Sequence, residues 1–247
     1  MNLVIDIGNT RAKVAVFEGE RLAEKMVTDH DLSGVNVLAD RYKCKRAVIC
    51  STGNVTSKGE EVLNYLNFPT TRMTGETPVP LRMEYETPQT LGPDRIAAAV
   101  GAWAQKPGND LMVVDCGTCV TFDFVDCQGT YLGGNIAPGL GMRLLAMKEG
   151  TERLPLADLK GSAPEIGTNT DKALRSGALW GLRHEICGYI YHFKEKYPHL
   201  SVFLTGGDAK MLNDFTNFAA EKAMIDSVTM DEDLVLRGLN KILDYNE

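Results

Sequence analysis

Two stretches of the chain share one pattern of hydrophobic and polar positions. In residues 111–124, an apolar run ends at Asp115, a Cys-Gly-Thr turn follows, and apolar residues then alternate with polar or small ones. Residues 3–17 show the same order, with Asp6 near the end of the apolar run and a glycine in the turn. Alternation with a period of two is typical of half-buried strands. Each stretch therefore predicts a strand–turn–strand hairpin.

The two hairpins coincide in their polar residues as well as in their apolar ones. Asp, Gly and Thr follow one another in the same order in both, and Asn9 is one extra residue in the first turn. The distance between them is far longer than the repeat of a solenoid, which is a few tens of residues. The repetition favours a duplicated domain. Chance similarity between two buried hairpins is the alternative, and the coincidence of the polar residues makes it the weaker one.

The rest of the chain predicts strands and helices in alternation. Strands are predicted at residues 21–28, 46–50, 130–136, 202–204 and 224–228. Helices are predicted at residues 29–42, from 57, from 93 to 102, at 140–147 and 170–197, after 208, and at 231–246. Residues 70–81 predict irregular or edge structure, and residues 151–162 predict a loop. Ser57 and Thr168, the latter with Asp171 three residues on, fit helix caps.

The order of a strand hairpin followed by helices occurs twice, with no linker of Gly/Ser type between the two sets. This predicts an α/β protein of two lobes, residues 1–110 and 111–247, that pack with a cleft between them. Clefts between lobes are where small ligands usually bind.

The composition and charge of the chain argue against several classes of function. The formal net charge of −7 and the isoelectric point near 5.2 argue against nucleic-acid binding, and no basic run of five or more residues occurs. No apolar stretch reaches membrane-spanning length, and Asp6 interrupts the apolar start, which disfavours a signal peptide. Six cysteines in a chain of this length fit a reduced protein better than a disulfide framework. We expect a cytoplasmic enzyme without nucleic-acid or membrane partners.

The turns of the two hairpins carry candidate chemistry. Backbone N–H groups around a glycine and a threonine hydroxyl suit phosphate oxygens, and a neighbouring carboxylate suits a hard cation. Gly92-Pro93-Asp94-Arg95 precedes a run of small residues and predicts a helix start. Taken alone, Asp94 is explained by the positive end of the helix dipole. Two stretches of small residues, 96–102 and 177–181, permit close helix approach and suit a two-fold interface between subunits.

Other chemistries fit poorly. Cys116-Gly117-Thr118-Cys119 is formally a C-x-x-C motif, but it opens a predicted strand, so a helix dipole is not available to lower the thiol pKa. The four histidines show no zinc-ligand spacing. The chain has no Walker A, G-x-G-x-x-G or G-x-S-x-G motif.

Five motifs, in order, resemble those of type III pantothenate kinases, which belong to the actin-like, hexokinase-like and Hsp70-like ATPase superfamily. They are DIGNTRAK at residues 6–13, GPDR at 92–95, DCGT at 115–118, GGNIAPG at 133–139 and TGGD at 205–208. The resemblance extends over essentially the whole chain, to LVLRGL at residues 234–239. It implies duplicated actin-like, ribonuclease H-like ATPase lobes. The implied activity is ATP-dependent phosphorylation of pantothenate to 4'-phosphopantothenate, the first step of coenzyme A synthesis.

The same resemblance implies roles for individual residues. Asp94 would be the base that accepts the proton of the pantothenate hydroxyl. Asp115 would face a monovalent cation, K⁺ or NH₄⁺, and Asp6 would lie near Mg²⁺. The ATP phosphates would be held by Asp6, Ile7, Gly8, Asn9, Thr10, Arg11, Ala12, Lys13 and Thr118. Pantothenate would be bound by Tyr85, Gly92, Pro93, Asp94, Arg95 and Thr170. The resemblance also implies a homodimer whose partner subunit helps to complete the substrate site.

The chain departs from the family pattern in two places that remove no polar group. Pro93 stands where a small residue is common, and Cys116 and Cys119 replace apolar or small residues. Two alternatives remain open. One is a catalytically silent relative that binds nucleotide and acts in regulation or assembly, since fold does not fix function. The other is a kinase of the same fold for another small hydroxylated substrate.

Overall fold

A computed structural model describes residues 1–215 and 228–247. In this part of the chain, the N-terminal sheet has five strands in the order β3-β2-β1-β4-β5. The strands are β1 Asn2–Ile7, β2 Ala12–Glu18, β3 Arg21–Thr28, β4 Arg46–Ser51 and β5 Thr70–Arg72. β1 is antiparallel to β2 and parallel to β4, and β2 is antiparallel to β3. The predicted first hairpin and the strand predicted at 21–28 are therefore present, and together they form a three-stranded meander.

The second sheet has six strands within the described residues, in the order β11-β10-β7-β8-β9-β6. They are β6 Arg82–Met83, β7 Leu111–Cys116, β8 Cys119–Val125, β9 Thr130–Pro138, β10 Ser201–Thr205 and β11 Val228–Met230. β10 is parallel both to β7 and to β11.

The helices are α1 Val35–Arg41, α2 Ser57–Asn64, α3 Pro93–Gln105, α4 Leu140–Glu149, α5 Thr170–Lys196, α6 Ala209–Phe215 and α7 Leu234–Tyr245. A short 3₁₀ helix, Pro88–Thr90, precedes α3. No helix among the described residues is both long and apolar enough to span a membrane. The mixed α/β architecture agrees with the predicted fold class.

The chain forms two compact units, and neither is one continuous segment. The first contains Met1–Asn109, Phe124–Gly133 and Asp233–Glu247; the second contains Asp110–Asp123 and Gly134–Glu232. Along the chain, the first segment of the first unit ends at Asn109, beside residue 110, where the sequence predicts a lobe boundary. The last helix, α7, belongs to the first unit. The division into an N-terminal lobe at residues 1–110 and a C-terminal lobe at 111–247 stays a prediction.

The two hairpins show the same register in the two sheets. Asp6 is the fifth residue of β1 and pairs with Cys50 of the parallel strand β4. Asp115 is the fifth residue of β7 and pairs with Thr205 of the parallel strand β10. The pattern of buried residues along β1 and β7 is also identical. Each hairpin thus has a parallel neighbour whose following turn reaches the hairpin turn, as a duplicated domain requires.

A partly buried polar network joins α7 to the start of the first sheet. The Asn2 amide donates to Asn240 Oδ1 at 2.7 Å and to Asp244 Oδ1 at 2.9 Å. Arg46 of β4 donates through Nε to Asn2 Oδ1 at 2.8 Å and through Nη2 to Asp244 Oδ1 at 2.5 Å. The Asn240 amide in turn donates to the Gly19 carbonyl at 2.9 Å. Buried polar groups are stable only when paired in this way, so the network fixes where α7 lies on β1.

Several predicted boundaries differ from the observed ones. The helix predicted at 29–42 begins only at Val35, because Leu32 and Gly34 adopt left-handed φ angles of 53° and 89° that no helix continues. The cap of α2 is Thr56, one residue before the predicted Ser57, and its side chain accepts from Gly59 N. The cap of α5 is Asn169, which accepts from Lys172 N, and not Thr168. The strand predicted at 224–228 lies outside the described residues except for Val228, where β11 begins.

The small-residue stretch 96–102 is buried inside the first unit. Gly101 lies against the backbone of α7 at Leu234, where a Cβ would overlap the Leu234 carbonyl. This stretch therefore packs on α7 of the same chain, and the expectation that it forms a subunit interface is wrong. Gly177 and Gly181 in α5 are exposed, with no atom within 4 Å of a Cβ placed on either.

Candidate active site

The first hairpin presents its turn at the end of β1. Asp6 is half-buried and pairs in register with Lys13 of β2. The turn is closed by the Gly8 N–H, which donates to the Arg11 carbonyl at 3.1 Å. Residues 9–11 are exposed, whereas Ile7 and Ala12 are buried, so these two can serve a ligand only through their backbone.

The turn that follows β4 lies directly behind this hairpin. The N–H groups of Thr52 and Gly53 both donate to the Ile7 carbonyl, at 2.9 and 3.0 Å. Gly53 is so close to the hairpin that a Cβ there would overlap the Gly8 carbonyl. His30 contacts the same carbonyl from a different segment, with Nε2 2.9 Å from the Gly8 oxygen. His30 has no distinguishing sequence pattern, since it lies in a segment predicted as ordinary helix.

Asp94 lies in the first turn of α3. Gly92 precedes the helix, Pro93 is its first residue, and the Arg95 N–H donates to Asp94 Oδ1 at 2.9 Å. Burial raises the pKa of the Asp94 carboxyl, although the backbone N–H groups of Arg95 and Asp94 and the Arg95 charge act in the opposite direction. Arg95 itself is buried, with 7% of its surface exposed. The site therefore holds a carboxylate whose proton affinity exceeds that of an ordinary aspartate.

The fold of the first unit brings Asp6 and Asp94 together around Cys50. Burial raises the pKa of the Cys50 thiol well above its usual value, and the charges of Asp6 and Asp94 raise it further. Both carboxylates therefore lie close enough to Cys50 to act on it. The end of β1 and the start of α3, far apart in sequence, thus both place a carboxylate near Cys50. Cys50 was not among the predicted site residues, because a lone cysteine at the end of a buried strand has no distinguishing pattern.

Tyr85 follows β6 in the first unit. Its ring centroid lies 6.2 Å from that of Tyr131 in β9, and the two planes are tilted by 59°. Tyr85 is half-buried, so the aromatic contact fixes one part of the ring and leaves another part accessible.

In the second unit, the hairpin between β7 and β8 repeats this arrangement. The Gly117 N–H donates to the Cys119 carbonyl at 2.9 Å, and the exposed Thr118 accepts at its carbonyl from Gly139 N at 3.1 Å. Asp115 is half-buried beside the turn. Thr170, the first residue of α5, is exposed in the same unit.

The Thr-Gly-Gly-Asp turn after β10 lies against Asp115. The Asp208 N–H donates to the Cys116 carbonyl at 2.9 Å. Gly206 has a φ of 98°, and a Cβ there would overlap the Cys116 carbonyl and Asp115 Oδ1. Burial raises the pKa of the Asp208 carboxyl. The turn thus encloses one side of the Asp115 carboxylate with backbone.

Cys116 is unsuited to redox chemistry. Burial raises the pKa of its thiol far above the ordinary value, and the charges of Asp115 and Asp208 add to the effect. Thiolates are the reactive form of cysteine, so this thiol stays protonated. Cys119 lies on β8 with its sulfur 3.8 Å from that of Met142, and all six cysteines are free thiols. The C-x-x-C motif is therefore part of a hairpin, as its position before a strand predicts.

The described residues contain no group of three or more His, Cys, Asp or Glu side chains that could hold a metal ion by themselves. A site with one carboxylate beside a phosphate-binding turn is what Mg²⁺ uses when it arrives with a nucleotide, since it keeps waters and phosphate oxygens as its other ligands. Asp6, a half-buried carboxylate beside a turn whose residues 9–11 are exposed, could supply that single ligand.

Comparison with known proteins shows the family of this chain. A family model for type III pantothenate kinase matches residues 2–192. A type III pantothenate kinase from Phocaeicola vulgatus is 44% identical over 248 residues, which cover 100% of this chain and 99% of the relative. One from Bacteroides fragilis is 43% identical over 247 residues, covering 100% of this chain and 98% of the relative.

Solved structures share the fold at lower identity. A Baf family protein from Campylobacter jejuni, described as a transcriptional activator, has a TM-score of 0.60 at 23% identity and covers 99% of this chain and 98% of its own. An inorganic polyphosphate/ATP-glucomannokinase from Arthrobacter has a TM-score of 0.55 at 13% identity and covers 99% and 98%. At such identities the likeness shows the fold, and it adds nothing on substrate.

Proposed function

This chain belongs to the type III pantothenate kinase family, and from that premise we propose that Asp94 is the base of the reaction. As a member of the family, it phosphorylates pantothenate at the expense of ATP, the first step of coenzyme A biosynthesis. The reaction is a phosphoryl transfer to an alcohol, and such reactions depend on positioning and charge compensation more than on covalent chemistry.

The observation that supports Asp94 as the base is the effect of its burial. An efficient general base has a pKa near the working pH, and an ordinary aspartate is too weak a base to meet that condition. Burial raises the pKa of Asp94, and Arg95 beside it holds the carboxylate in place through its backbone N–H. Asp94 would take the proton of the substrate hydroxyl as the phosphoryl group arrives.

The ATP phosphates would be bound by residues 6–13 and by Thr118. Exposed Asn9, Thr10 and Arg11 offer N–H groups and side chains, while buried Ile7 and Ala12 contribute backbone. Lys13, in register with Asp6, would offset charge on the phosphates. Asp6 would hold Mg²⁺ together with phosphate oxygens; when bound, the metal neutralises charge on the transferred group.

A monovalent cation, K⁺ or NH₄⁺, would bind at Asp115. The support is the carboxylate beside the second turn, with the backbone of the Gly206 turn packed against it. Asp208 lies on the same turn, and both carboxylates act on Cys116. Oxygen-rich surroundings of this kind suit hard cations.

Pantothenate would be bound by Gly92, Pro93, Asp94 and Arg95 together with Tyr85 and Thr170. The first four form the start of α3, and the half-buried Tyr85 presents an aromatic ring. Thr170, at the exposed N-terminus of α5, offers a hydroxyl and the N-terminal N–H groups of a long helix, which favour anions. The protein would act as a homodimer, with Gly177 and Gly181 at the interface, in a cytoplasm that keeps its cysteines reduced.

A paired experiment tests the assignment. Asp94→Asn keeps the size of the side chain but cannot accept the proton, so turnover should fall by roughly 10²–10⁴-fold while calorimetric affinity for Mg²⁺–ATP is unchanged. Asp6→Asn removes charge beside the metal and should weaken Mg²⁺–ATP binding as well as turnover. Near wild-type turnover of Asp94→Asn would make Asp94 a helix cap. Loss of ATP binding in Asp94→Asn would place it on the nucleotide side of the site.

The family assignment disfavours the two alternatives. A silent regulatory relative would not need a buried, basic carboxylate at the start of α3. Turnover with pantothenate, measured against other small hydroxylated substrates, separates a pantothenate kinase from a kinase of the same fold with another substrate.

A further inference from the structure

His30 connects the first hairpin to the start of α2. Its ring Nε2 lies 2.9 Å from the Gly8 carbonyl oxygen. A carbonyl oxygen can only accept, so the ring nitrogen donates, and Nε2 carries a proton. The His30 backbone is held as well, because its carbonyl accepts from Thr56 N at 3.4 Å. Thr56 is the cap of α2, so the ring projects from an anchored backbone.

The Gly8 carbonyl is enclosed from two sides. His30 contacts it through the ring, and the Gly53 backbone packs so closely that a Cβ there would overlap its oxygen. The Gly8 N–H is already used to close the turn onto Arg11. The orientation of the peptide between Gly8 and Asn9 is therefore fixed at its carbonyl end by residues outside the hairpin.

A fixed carbonyl sets the direction of the next N–H. In a trans peptide, the C=O and the N–H of one plane point in opposite directions, and the described residues contain no cis peptide bond. The bond to His30 therefore turns the Asn9 N–H away from His30, in a turn whose residues Asn9 and Thr10 are exposed. Glycine allows a wide range of backbone angles. Without His30 the peptide between Gly8 and Asn9 could therefore rotate, and the Asn9 N–H would lose its fixed direction.

We propose that His30 is a positioning residue for nucleotide binding, which holds the Gly8 peptide so that the Asn9 N–H points at a phosphate oxygen of ATP. The inference rests on the proposed function, in which residues 6–13 bind the ATP phosphates. His30 lies outside the five motifs of the family resemblance. Its loss should weaken the binding only of ligands that carry phosphates.

Three substitutions of His30 test the proposal. His30→Gln keeps an amide N–H at about the position of Nε2, His30→Asn keeps the same amide on a shorter chain, and His30→Leu removes the donor. We expect KM for ATP and the calorimetric Kd for Mg²⁺–ATP to rise roughly 10-fold in His30→Leu and His30→Asn, the effect of losing one oriented hydrogen bond. His30→Gln should stay within about 3-fold of wild type. KM for pantothenate should not change in any of them.

Two further measurements separate positioning from loss of structure. Affinity for adenosine, which has no phosphate, should be equal in wild type and His30→Leu, and a general disruption would weaken it together with ATP. His199→Leu, at an exposed histidine in the other unit, should leave KM for ATP unchanged. If His30→Leu does not fold, the comparison of His30→Gln with His30→Asn still decides, because the two differ only in reach.

The outcomes distinguish this inference from the proposed function. If Lys13→Ala weakens ATP binding but His30→Leu and His30→Asn bind ATP like wild type, the positioning role of His30 is wrong and the phosphate site stands. If Lys13→Ala and Asp6→Asn also bind ATP like wild type, the hairpin is not the phosphate site and both proposals fail. Equal loss of adenosine and ATP affinity in His30→Leu and His30→Gln would make His30 a structural residue.

Discussion

Gly238 of α7 lies against the carbonyl of Ala97 in α3, so closely that a Cβ at Gly238 would overlap the carbonyl oxygen. Ala97 is one helical turn beyond Asp94. The position of α7 therefore limits how closely α3, which carries Asp94 in its first turn, can pack within the first unit.

Gly238→Ala should displace α3 and Asp94 with it. Overpacking of this kind costs about 1–3 kcal/mol of stability. Because Asp94 moves, we also expect turnover to fall roughly 10-fold, about 1.4 kcal/mol of barrier, with affinity for Mg²⁺–ATP unchanged. Denaturant unfolding and steady-state kinetics measure the two effects. Gly141→Ala, at an exposed position of α4 with no atom within 4 Å of its Cβ, is the control and should gain up to about 1 kcal/mol of helix stability. Wild-type turnover in Gly238→Ala would show that the contact does not position Asp94.

Asp94→Asn should make the protein more stable at neutral pH. The folded-state pKa of Asp94 is raised by burial, so the wild-type carboxyl stabilises the fold while protonated and loses that contribution as the pH rises through its folded pKa. Asparagine is neutral throughout. The difference in melting temperature between Asp94→Asn and wild type should therefore be positive at pH 7–8 and shrink as the pH is lowered toward about 4.

Asp31→Asn is the matched control with the opposite sign. Hydrogen bonds from Thr56 and Lys58 lower the pKa of Asp31, so its charged form stabilises the fold above the ordinary aspartate range. Asp31→Asn should thus lower the melting temperature at neutral pH. A melting temperature of Asp94→Asn below that of wild type at pH 8 would contradict the raised pKa.

Turnover should depend on a small monovalent cation. Replacement of K⁺ by tetramethylammonium should slow the wild-type enzyme roughly 10-fold or more, which corresponds to about 1.4 kcal/mol or more of lost charge compensation. Asp115→Asn should be slow in both buffers, because the variant lacks the carboxylate that would bind the ion. The measurement is the initial rate at constant ionic strength. Equal wild-type rates in the two buffers would contradict a functional cation site at Asp115.

The protein should be a dimer with substrate sites that draw on both subunits. Light scattering at micromolar concentration should give twice the chain mass, and Gly177→Arg, on the exposed face of α5, should give a monomer. Mixing inactive Asp94→Asn and Thr170→Ala chains should restore roughly a quarter of the wild-type activity, since half of the dimers are mixed and each has one intact site. If subunit exchange is demonstrated and no activity is recovered, Thr170 and Asp94 of one substrate site belong to the same chain, and the shared site is wrong.

Much of the local structure could be predicted from the sequence. Both hairpins, the start of α3 at Pro93 and the long helix α5 follow from patterns within a few residues of one another. The repeated register of Asp6 and Asp115 also follows, because the same polar residues end the same apolar run. The observed cap residues of α2 and α5 each lie one position from the predicted ones, because neighbouring Thr, Ser and Asn side chains compete for the same N–H groups.

Contacts between distant segments could not be predicted. The meeting of Asp6, Asp94 and Cys50 depends on how β1, β4 and α3 pack, and a single sequence carries no direct record of that pairing. His30 was missed for the same reason, because its partner at Gly8 lies on another segment and no spacing rule connects them. The small residues of α3 suggested an outside partner, whereas α7 of the same chain occupies that face.

The polar network between Asn2, Arg46, Asn240 and Asp244 has a consequence for the order of events on the ribosome. α7 follows every other described element along the chain, yet the buried Asn2 side chain of the first strand donates to Asn240 and Asp244 of this last helix. Domains usually fold as units while synthesis proceeds from the N-terminus, but this N-terminal unit must wait while the whole of the second unit is translated. Nascent chains should therefore gain protease resistance in the second unit before the first, and the N-terminal sheet should depend on chaperones for longest.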